Sequence, residues 1–520
     1  MANALARMKA GGNWETQNVS SLFNFGLTYP EFKMSKAWVS QGFTNLKANL
    51  MENFYPDGPC KEATINYDAL SVGRFIGAFQ TARTRGLGLE LPKEHLDLLE
   101  KAFDYLMYST QPDWLMPIWG DTGHGDDETK LLALGAKFYN RPDMQWVASK
   151  GKENHQPAQT SVAFRTAGYF IMRSGWDPQA RFLVTRNGKS TGHYHADNLS
   201  VIVNAYGTDL LPDMGIYSYG TPECAALVRT TSHSTISVDG KDSINGDGSN
   251  TWISMPGMDY FDGTHAGFQN PPGVTHRRRI CFVKPDYWVI GDVVEGPGDH
   301  TVDQFWHAPF NVKLDPKTEV AHCATDAGPS LLITPVGAEL PGAELTEGYY
   351  ADGWLKVRKA PVVKYRQTGS LPKTFRTVLY PLPAGATPSV TAAALGAGVT
   401  RISHPSGTDY VAFGEADIKP VKSTSETAMI RTAGKPGKER VTGFSWYKGT
   451  SLSFGNELLA SSDAPVKGLH VSYLGSTIRI TCEEAHPSLR IAALGAKSVI
   501  VNGKEAKLGK GAKYITVTGL

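Results

Sequence analysis

Cysteine is scarce in this chain and poorly placed for structural chemistry: Cys60, Cys224, Cys281, Cys323 and Cys482 are five in 520 residues, widely spaced, with no CxxC pair. That pattern excludes a disulfide framework and a thiolate zinc site, so any metal must rest on histidine and carboxylate. An excess of one charge is also missing. Lys and Arg total 52 against 50 Asp and Glu, a formal charge of +2. The basic run His276-Arg277-Arg278-Arg279 is short and reads as a charged strand face, not as a nucleic-acid footprint. No segment has the long uncharged apolar run of a membrane-spanning helix, and Met1 to Asn13 lacks the apolar stretch of a secretory signal. The chain is therefore expected to be soluble, to carry no address, and to engage neither nucleic acid nor membrane. Solenoid-period repeats and low-complexity tracts are absent too.

What remains is an ordinary globular composition, 41% hydrophobic and 20% charged, with 54 Gly and 31 Pro implying many turns. Its length asks for roughly two to four domains. From about Glu15 to Asn140 apolar residues recur at helical spacing, as in Val39, Phe43, Leu46 and Leu50, and again in Leu96, Leu99, Phe103 and Leu106. Breaks at Tyr29-Pro30, at Pro56-Asp57-Gly58-Pro59 and from Gly86 to Pro92 predict stacked helical hairpins. Past His155 the texture changes to short runs rich in Val, Ile, Phe, Thr and Tyr, and turn signals recur about every ten residues. The fold class is α+β, with several domains: helices over 1–155, a central antiparallel β-sandwich over 156–400, and a smaller sheet domain over 401–520. The second boundary is placed between Gly396 and Ser406.

The densest unusual segment is Gly192-His193-Tyr194-His195-Ala196-Asp197-Asn198, just ahead of an apolar strand from Val201. Histidines at i and i+2 on an extended segment share a face. Downstream, Asp213 precedes the turn Met214-Gly215, and His233 precedes the strand Ile236 to Val238. Two neutral imidazoles and one carboxylate make an N/O donor set that suits zinc, which assigns His195, Asp213 and His233 as metal ligands. By spacing alone the plainer reading, satisfied or exposed histidines, has the better odds.

The run GHYHADNLSVIVNAYGTDLLPDMGIYSYG is similar, almost residue for residue, to the signature of heparinase II/III-like polysaccharide lyases. The resemblance implies a zinc, mainly structural, on His195, Asp213 and His233. Upstream, Gly12-Asn13-Trp14 and the helical run to Pro30-Glu31-Phe32 resemble the family's Asn-bearing toroid helix, which makes Asn13 the residue that binds the substrate carboxylate. Pro56-Asp57-Gly58, Glu62 and Asn66-Tyr67 resemble a segment whose tyrosine reaches the scissile bond, so Tyr67 is the leading catalytic residue. Asp68 stands where many relatives carry His. Trp119-Gly120-Asp121 also looks family-like, and the likeness thins after about Thr400. Relatives have several toroid helices ahead of the Asn-bearing one. The α/α toroid is therefore expected to be incomplete, with apolar helix faces that a homo-oligomer could cover. By family habit the location is periplasmic or secreted.

The implied reaction is β-elimination on a uronate-bearing acidic polysaccharide, leaving a 4,5-unsaturated end; which uronate glycan, alginate and glycosaminoglycans included, stays open. Removing the C5 proton requires that the developing enolate-like charge be neutralised, a task for Asn13 and His193. A base takes that proton and an acid protonates the departing O4. Tyr67 serves either role, His193 is the other candidate base, and Tyr67 ranks first as acid. Glu62, Asn66, Tyr217, Tyr219 and Trp119 are candidate substrate contacts. Trp14, Trp114 and Trp119 would suit sugar stacking, although core burial is the default for each. Two rivals remain: a glycoside hydrolase using Glu62 and Asp121 as its carboxylate pair, and a non-catalytic glycan-binding or structural protein.

Overall fold

Helical spacing gives way to strand spacing between Ala148 and Val162 in the computed structural model, which describes residues 2–517 apart from 269, 327, 338, 397, 435–436, 485–487 and 510. Seven helices come first among the described residues: α1 (Ala2–Leu5), α2 (Gly12–Thr28), α3 (Ser35–Asn53), α4 (Ile65–Thr84), α5 (Lys93–Ser109), α6 (Thr129–Tyr139) and α7 (Pro142–Ala148). The residues that set their period are those that bury. Phe23, Phe43, Leu46, Leu50, Phe75, Leu99, Phe103 and Leu106 form one core, because i, i+3/i+4 spacing lines them along one face of each helix. α2 and α3 touch closely enough that a Cβ on Gly42 would lie 2.7 Å from the backbone nitrogen of Phe23. Any side chain there would push the pair apart.

The helical core does not end with the helices. Phe164, Tyr169, Ile171, Trp176, Phe182, Val184 and Ile202 belong to it, and they lie on or beside the five-stranded sheet of β1 (Val162–Phe164), β2 (Tyr169–Arg173), β3 (Arg181–Arg186), β4 (Val201–Ala205) and β5 (Thr208–Leu211). That sheet pairs antiparallel throughout. Its other face joins an eight-stranded and a four-stranded sheet around a second core, which includes Phe170, Leu183, Val203, Trp288, Trp306 and Val363. Strands buried on both faces explain why β2 and β4 read as continuous apolar runs. The helical part is thus bolted to the sandwich by one sheet that serves both cores.

The C-terminal sheet departs from expectation at its start. The central sheet's last strand ends at Leu382 and Thr391–Ala394 already belongs to the C-terminal sheet. The change falls in 383–390, ahead of the predicted Gly396 to Ser406. That stretch carries Pro383 and Pro388, and Gly396 and Gly398 lie in the connection between Thr391–Ala394 and Val399–His404, within the new domain. Ile402, Val411, Phe413 and Met429 pack it back against Tyr260, Val289 and Val378 of the sandwich. No helix among the described residues is long and apolar enough to cross a membrane.

Candidate active site

Three loops meet where the helical part abuts β3 and β4. Residues 187–200 form the first, between β3 and β4, and 54–64 form the second, between α3 and α4. Residues 110–128 form the third, between α5 and α6. The α2 N-terminus closes the group. Gly12 opens α2 at φ 55°, and a Cβ there would fall 1.8 Å from Glu62 Oε1, so glycine alone lets the helix start against that carboxylate. Glu62 then accepts from the backbone N–H of Asn13 at 2.8 Å and from its Nδ2 at 2.8 Å. The amide is held with Nδ2 3.4 Å from His193 Nε2.

His193 is not on an extended strand, as the sequence suggested, but in a loop with φ 48°. Even so, the two histidines converge on one group. His193 Nδ1 lies 2.5 Å from Asp121 Oδ2, and His195 Nε2 lies 2.9 Å from Asp121 Oδ1. Tyr219 Oη donates to Asp121 Oδ2 at 3.0 Å and sits 2.9 Å from Tyr67 Oη. The Tyr67 ring stacks on the His193 imidazole with centroids 4.0 Å apart. The result is a connected set: Asn13, His193, Asp121, Tyr219 and Tyr67.

Electrostatics sort these groups into roles. Burial pushes Asp121 upward, but hydrogen bonds from His193 and His195 outweigh it and hold the carboxyl well below its ordinary range. A charged Asp121 keeps the proton on His193 Nδ1 and leaves Nε2 with a lone pair toward Asn13, the tautomer a base needs. Burial raises Tyr67 against the opposing pull of its Tyr219 hydrogen bond, and the charges of Asp121 and Glu62 add to the rise. Tyr219 is raised by burial, by its bond to Tyr67 and by Asp121. Both phenols keep their protons at neutral pH and stand ready as acids.

The other predicted residues fall in different places. Trp119 is only 1% exposed, packed in the helical core against Tyr169, so the expected sugar contact has no face to offer. Glu62 is buried with both oxygens on Asn13, which makes it a positioning group and not a substrate contact. Asn66 donates its backbone N–H to Thr122 Oγ1 at 3.4 Å. Tyr217 packs beside Met214 and Tyr350 under the site. Trp14, expected in the core, is 67% exposed, and Trp114 is half-buried against Trp146. Asp68, the departure from the family pattern, accepts the Cys60 N–H with both oxygens at 3.0 Å and so shapes the loop before Tyr67. Asp121 is what sequence reasoning missed as the hub. Its signal was Gly120, whose φ of 60° turns the chain so that the next side chain enters the cleft.

Behind this set lie the predicted metal ligands. His233 Nδ1 is 2.7 Å from Asp213 Oδ1, and the His195 and His233 rings are 5.4 Å apart. His195 Nδ1, His233 Nε2 and Asp213 Oδ2 are all buried and have no hydrogen-bond partner among the described residues. Three unmatched buried polar atoms of this kind are costly unless something binds them, and the N, N, O set suits zinc. Among the described residues no three His, Cys, Asp or Glu side chains already converge as a metal-holding group; His233 and Asp213 are bonded to each other instead.

Residues 2–146 match the family described as Heparinase II/III N-terminus, and residues 156–369 match Heparinase II/III-like, C-terminal. The chain belongs to the heparinase II/III-like family. It is 24% identical over 371 residues to a heparin-sulfate lyase of Pedobacter heparinus, covering 68% of this chain and 56% of that protein. A heparin-sulfate lyase of Bacteroides thetaiotaomicron is 22% identical over 413 residues, covering 72% and 58%. The chain thus spans a little over half the length of these curated relatives. Among solved structures, a heparan sulfate lyase mutant from Pedobacter heparinus superposes with a TM-score of 0.70 at 21% identity, over 85% of this chain and 67% of that one. A heparinase III structure gives 0.71 at 19% identity, over 79% and 68%. These likenesses establish the shared fold, helical domain followed by β-sandwich.

Proposed function

We propose that this chain is a polysaccharide lyase that cleaves a uronate-bearing glycosaminoglycan of the heparan sulfate kind by β-elimination. The observation that carries the reading is the connected set itself, a lone-pair imidazole nitrogen and a protonated phenol on stacked rings beside an oriented amide. The uronate carboxylate takes the Asn13 Nδ2 hydrogen that now faces His193 Nε2, which frees the imidazole lone pair and stabilises the charge that develops as C5 loses its proton. His193 Nε2 takes that proton. The electron pair forms the C4–C5 double bond, the C4–O4 bond breaks, and Tyr67 Oη gives its proton to O4. The cycle closes when His193 Nε2 gives the C5 proton to solvent and Tyr67 regains one from solvent through the exposed Tyr219 hydroxyl. The likeness to heparin-sulfate lyases supports this reading.

A hydrolase reading is not favoured. Both Glu62 oxygens are taken by Asn13, and Asp121 is occupied by two imidazoles and a phenol, so neither carboxylate is free to flank a glycosidic bond or to activate water. We further propose that zinc sits on His195, Asp213 and His233. Bound there, it would fix the loop carrying His193, with no part in the proton transfers.

The test is ultraviolet absorbance of the unsaturated uronate on a panel of glycosaminoglycans and alginate. A rise with heparan sulfate is expected, and Tyr67→Phe should lower kcat by about 100-fold or more while the protein stays folded. New reducing ends without that absorbance would overturn the reading, and no product at all would favour a binding protein. For the metal, elemental analysis of chelator-free protein should find about one zinc per chain; metal-free folded protein would reject it.

A further inference from the structure

A hairpin of the sandwich reaches into this site. Its strands are Ala343–Gly353 and Lys356–Ser370, joined by the two-residue tip Trp354-Leu355. The base is anchored in the sandwich core through Val363 and Tyr365. Near the tip, Ala351 N–H donates to Met214 O at 3.1 Å and Leu355 N–H donates to Tyr217 O at 2.7 Å. The hairpin therefore grips the loop that runs from Asp213 to Tyr219.

The tip breaks the usual chemistry of a two-residue turn. Such turns favour Asn and Gly, because their central residues take positive φ. Here the residue at φ 59° is Leu355, a bulky apolar side chain in the left-handed region. Trp354 and Leu355 are also 54% and 63% exposed. A turn that is strained and apolar where a polar, relaxed one would fold better points to a function for its side chains. The surroundings identify it. The Trp354 ring meets Tyr219 at 5.5 Å between centroids, and Tyr219 is the hydrogen-bond partner of Tyr67. Of the two tryptophans more than half exposed among the described residues, Trp14 and Trp354, Trp354 is the one whose ring meets a ring of the site. Lys356 leaves the tip exposed, with no ion-pair partner among the described residues, and Arg358 follows on the same strand face.

We propose that Trp354 is a sugar-stacking platform that, with Lys356 beside it, binds the anionic sugar departing with O4 and so sets the preference for longer sulfated or carboxylated chains. This rests on the lyase reading, since the departing sugar is defined by Tyr67 as the acid. An indole face stacks on the apolar face of a pyranose ring, and a lysine beside it adds charge attraction. Such a residue contributes binding that is equal in ground and transition state, so its loss raises KM and leaves kcat nearly alone.

The experiment is steady-state kinetics on heparan sulfate and on a tetrasaccharide made from it, following the unsaturated uronate. Trp354→Ala is expected to raise KM about five- to tenfold on the long chain, with kcat within about twofold and a smaller effect on the tetrasaccharide. Trp354→Tyr should recover most of the loss, which a merely structural role for the tip would not predict. Unchanged KM in Trp354→Ala, or equal impairment in the Ala and Tyr variants, would overturn the subsite while leaving the lyase reading intact. Absence of any unsaturated product from wild-type protein would overturn the lyase reading and the subsite with it.

Discussion

Two histidine–carboxylate clusters in this molecule are built from the same parts and finished differently. In the sandwich, Asp292 accepts from Arg278 Nε at 2.7 Å and Nη2 at 3.0 Å, and from Gln304 Nε2 at 2.7 Å, and it lies 2.7 Å from His276 Nε2. Arg278 Nη1 also donates to the carbonyls of Leu199 and Ser234, next to the loop of the site and to His233. Arg278, His276 and Gln304 are fully buried and Asp292 nearly so. At the cleft, Asp121 gathers two imidazoles and a phenol, but Tyr219 stays 52% exposed and His193 partly open. Filling the carboxylate's valences inside the protein makes a brace. Leaving an imidazole nitrogen and two phenols facing the cleft makes the site proposed for proton transfer. The brace also holds the end of the loop that carries His193.

Breaking the brace should have the larger effect. Asp292→Asn leaves Arg278 buried without its counter-charge, which costs about 3–5 kcal/mol; denaturant unfolding measures it, and the folded fraction should keep its kcat. Asp121→Asn sharpens the contrast from the other side. Its charge no longer favours the His193 tautomer, so kcat should fall about 10- to 100-fold with a folded circular dichroism spectrum. If instead it unfolds the protein and spares kcat, the two clusters do the same work and the comparison fails.

A third effect is smaller and spread over pH. Burial, with the Arg278 charge adding to it, pushes His265 well below its ordinary value, and burial lowers His276 against the pull of Asp292. Both stay neutral in the fold while the unfolded chain takes up protons below about pH 6.5. The unfolded state then binds more protons, so this stability is full above that pH and declines as pH falls. Asp292 is held low by Arg278 and His276 against burial, so its contribution is lost only below about pH 4. The melting temperature should therefore slope downward from pH 6.5 toward 4 and more steeply beneath. His265→Asn, which can still accept the Gly267 N–H now bonded to Nδ1 at 2.8 Å, should flatten the upper part. A wild-type curve level from pH 7 to 4 would contradict the buried-neutral account.

Much of the chain was legible beforehand. Leu46, Leu50, Leu99 and Phe103 announced buried helix faces by spacing alone, since period and burial are the same fact seen twice. Asn13, Tyr67 and His193 were readable through their motifs, and the structure brings them within contact of one another although 54 and 126 positions separate successive members of that series. Trp119 misled because an aromatic beside Gly120-Asp121 looks the same in sequence whether it lines a cleft or fills a core.

The sequence by itself determined which segments are helix and which are strand, where the architecture changes, and which residue types are available for proton transfer, because these depend on local periodicity and chemistry. Only the tertiary structure decided that Asp121 is the hub, that Glu62 orients Asn13, and that a hairpin from more than a hundred residues downstream sets Trp354 against Tyr219. The reason is physical. A hydrogen bond or a ring contact depends on distances of a few ångströms between loops far apart in the chain, and those distances are set by how the two cores share one sheet, which no local pattern encodes.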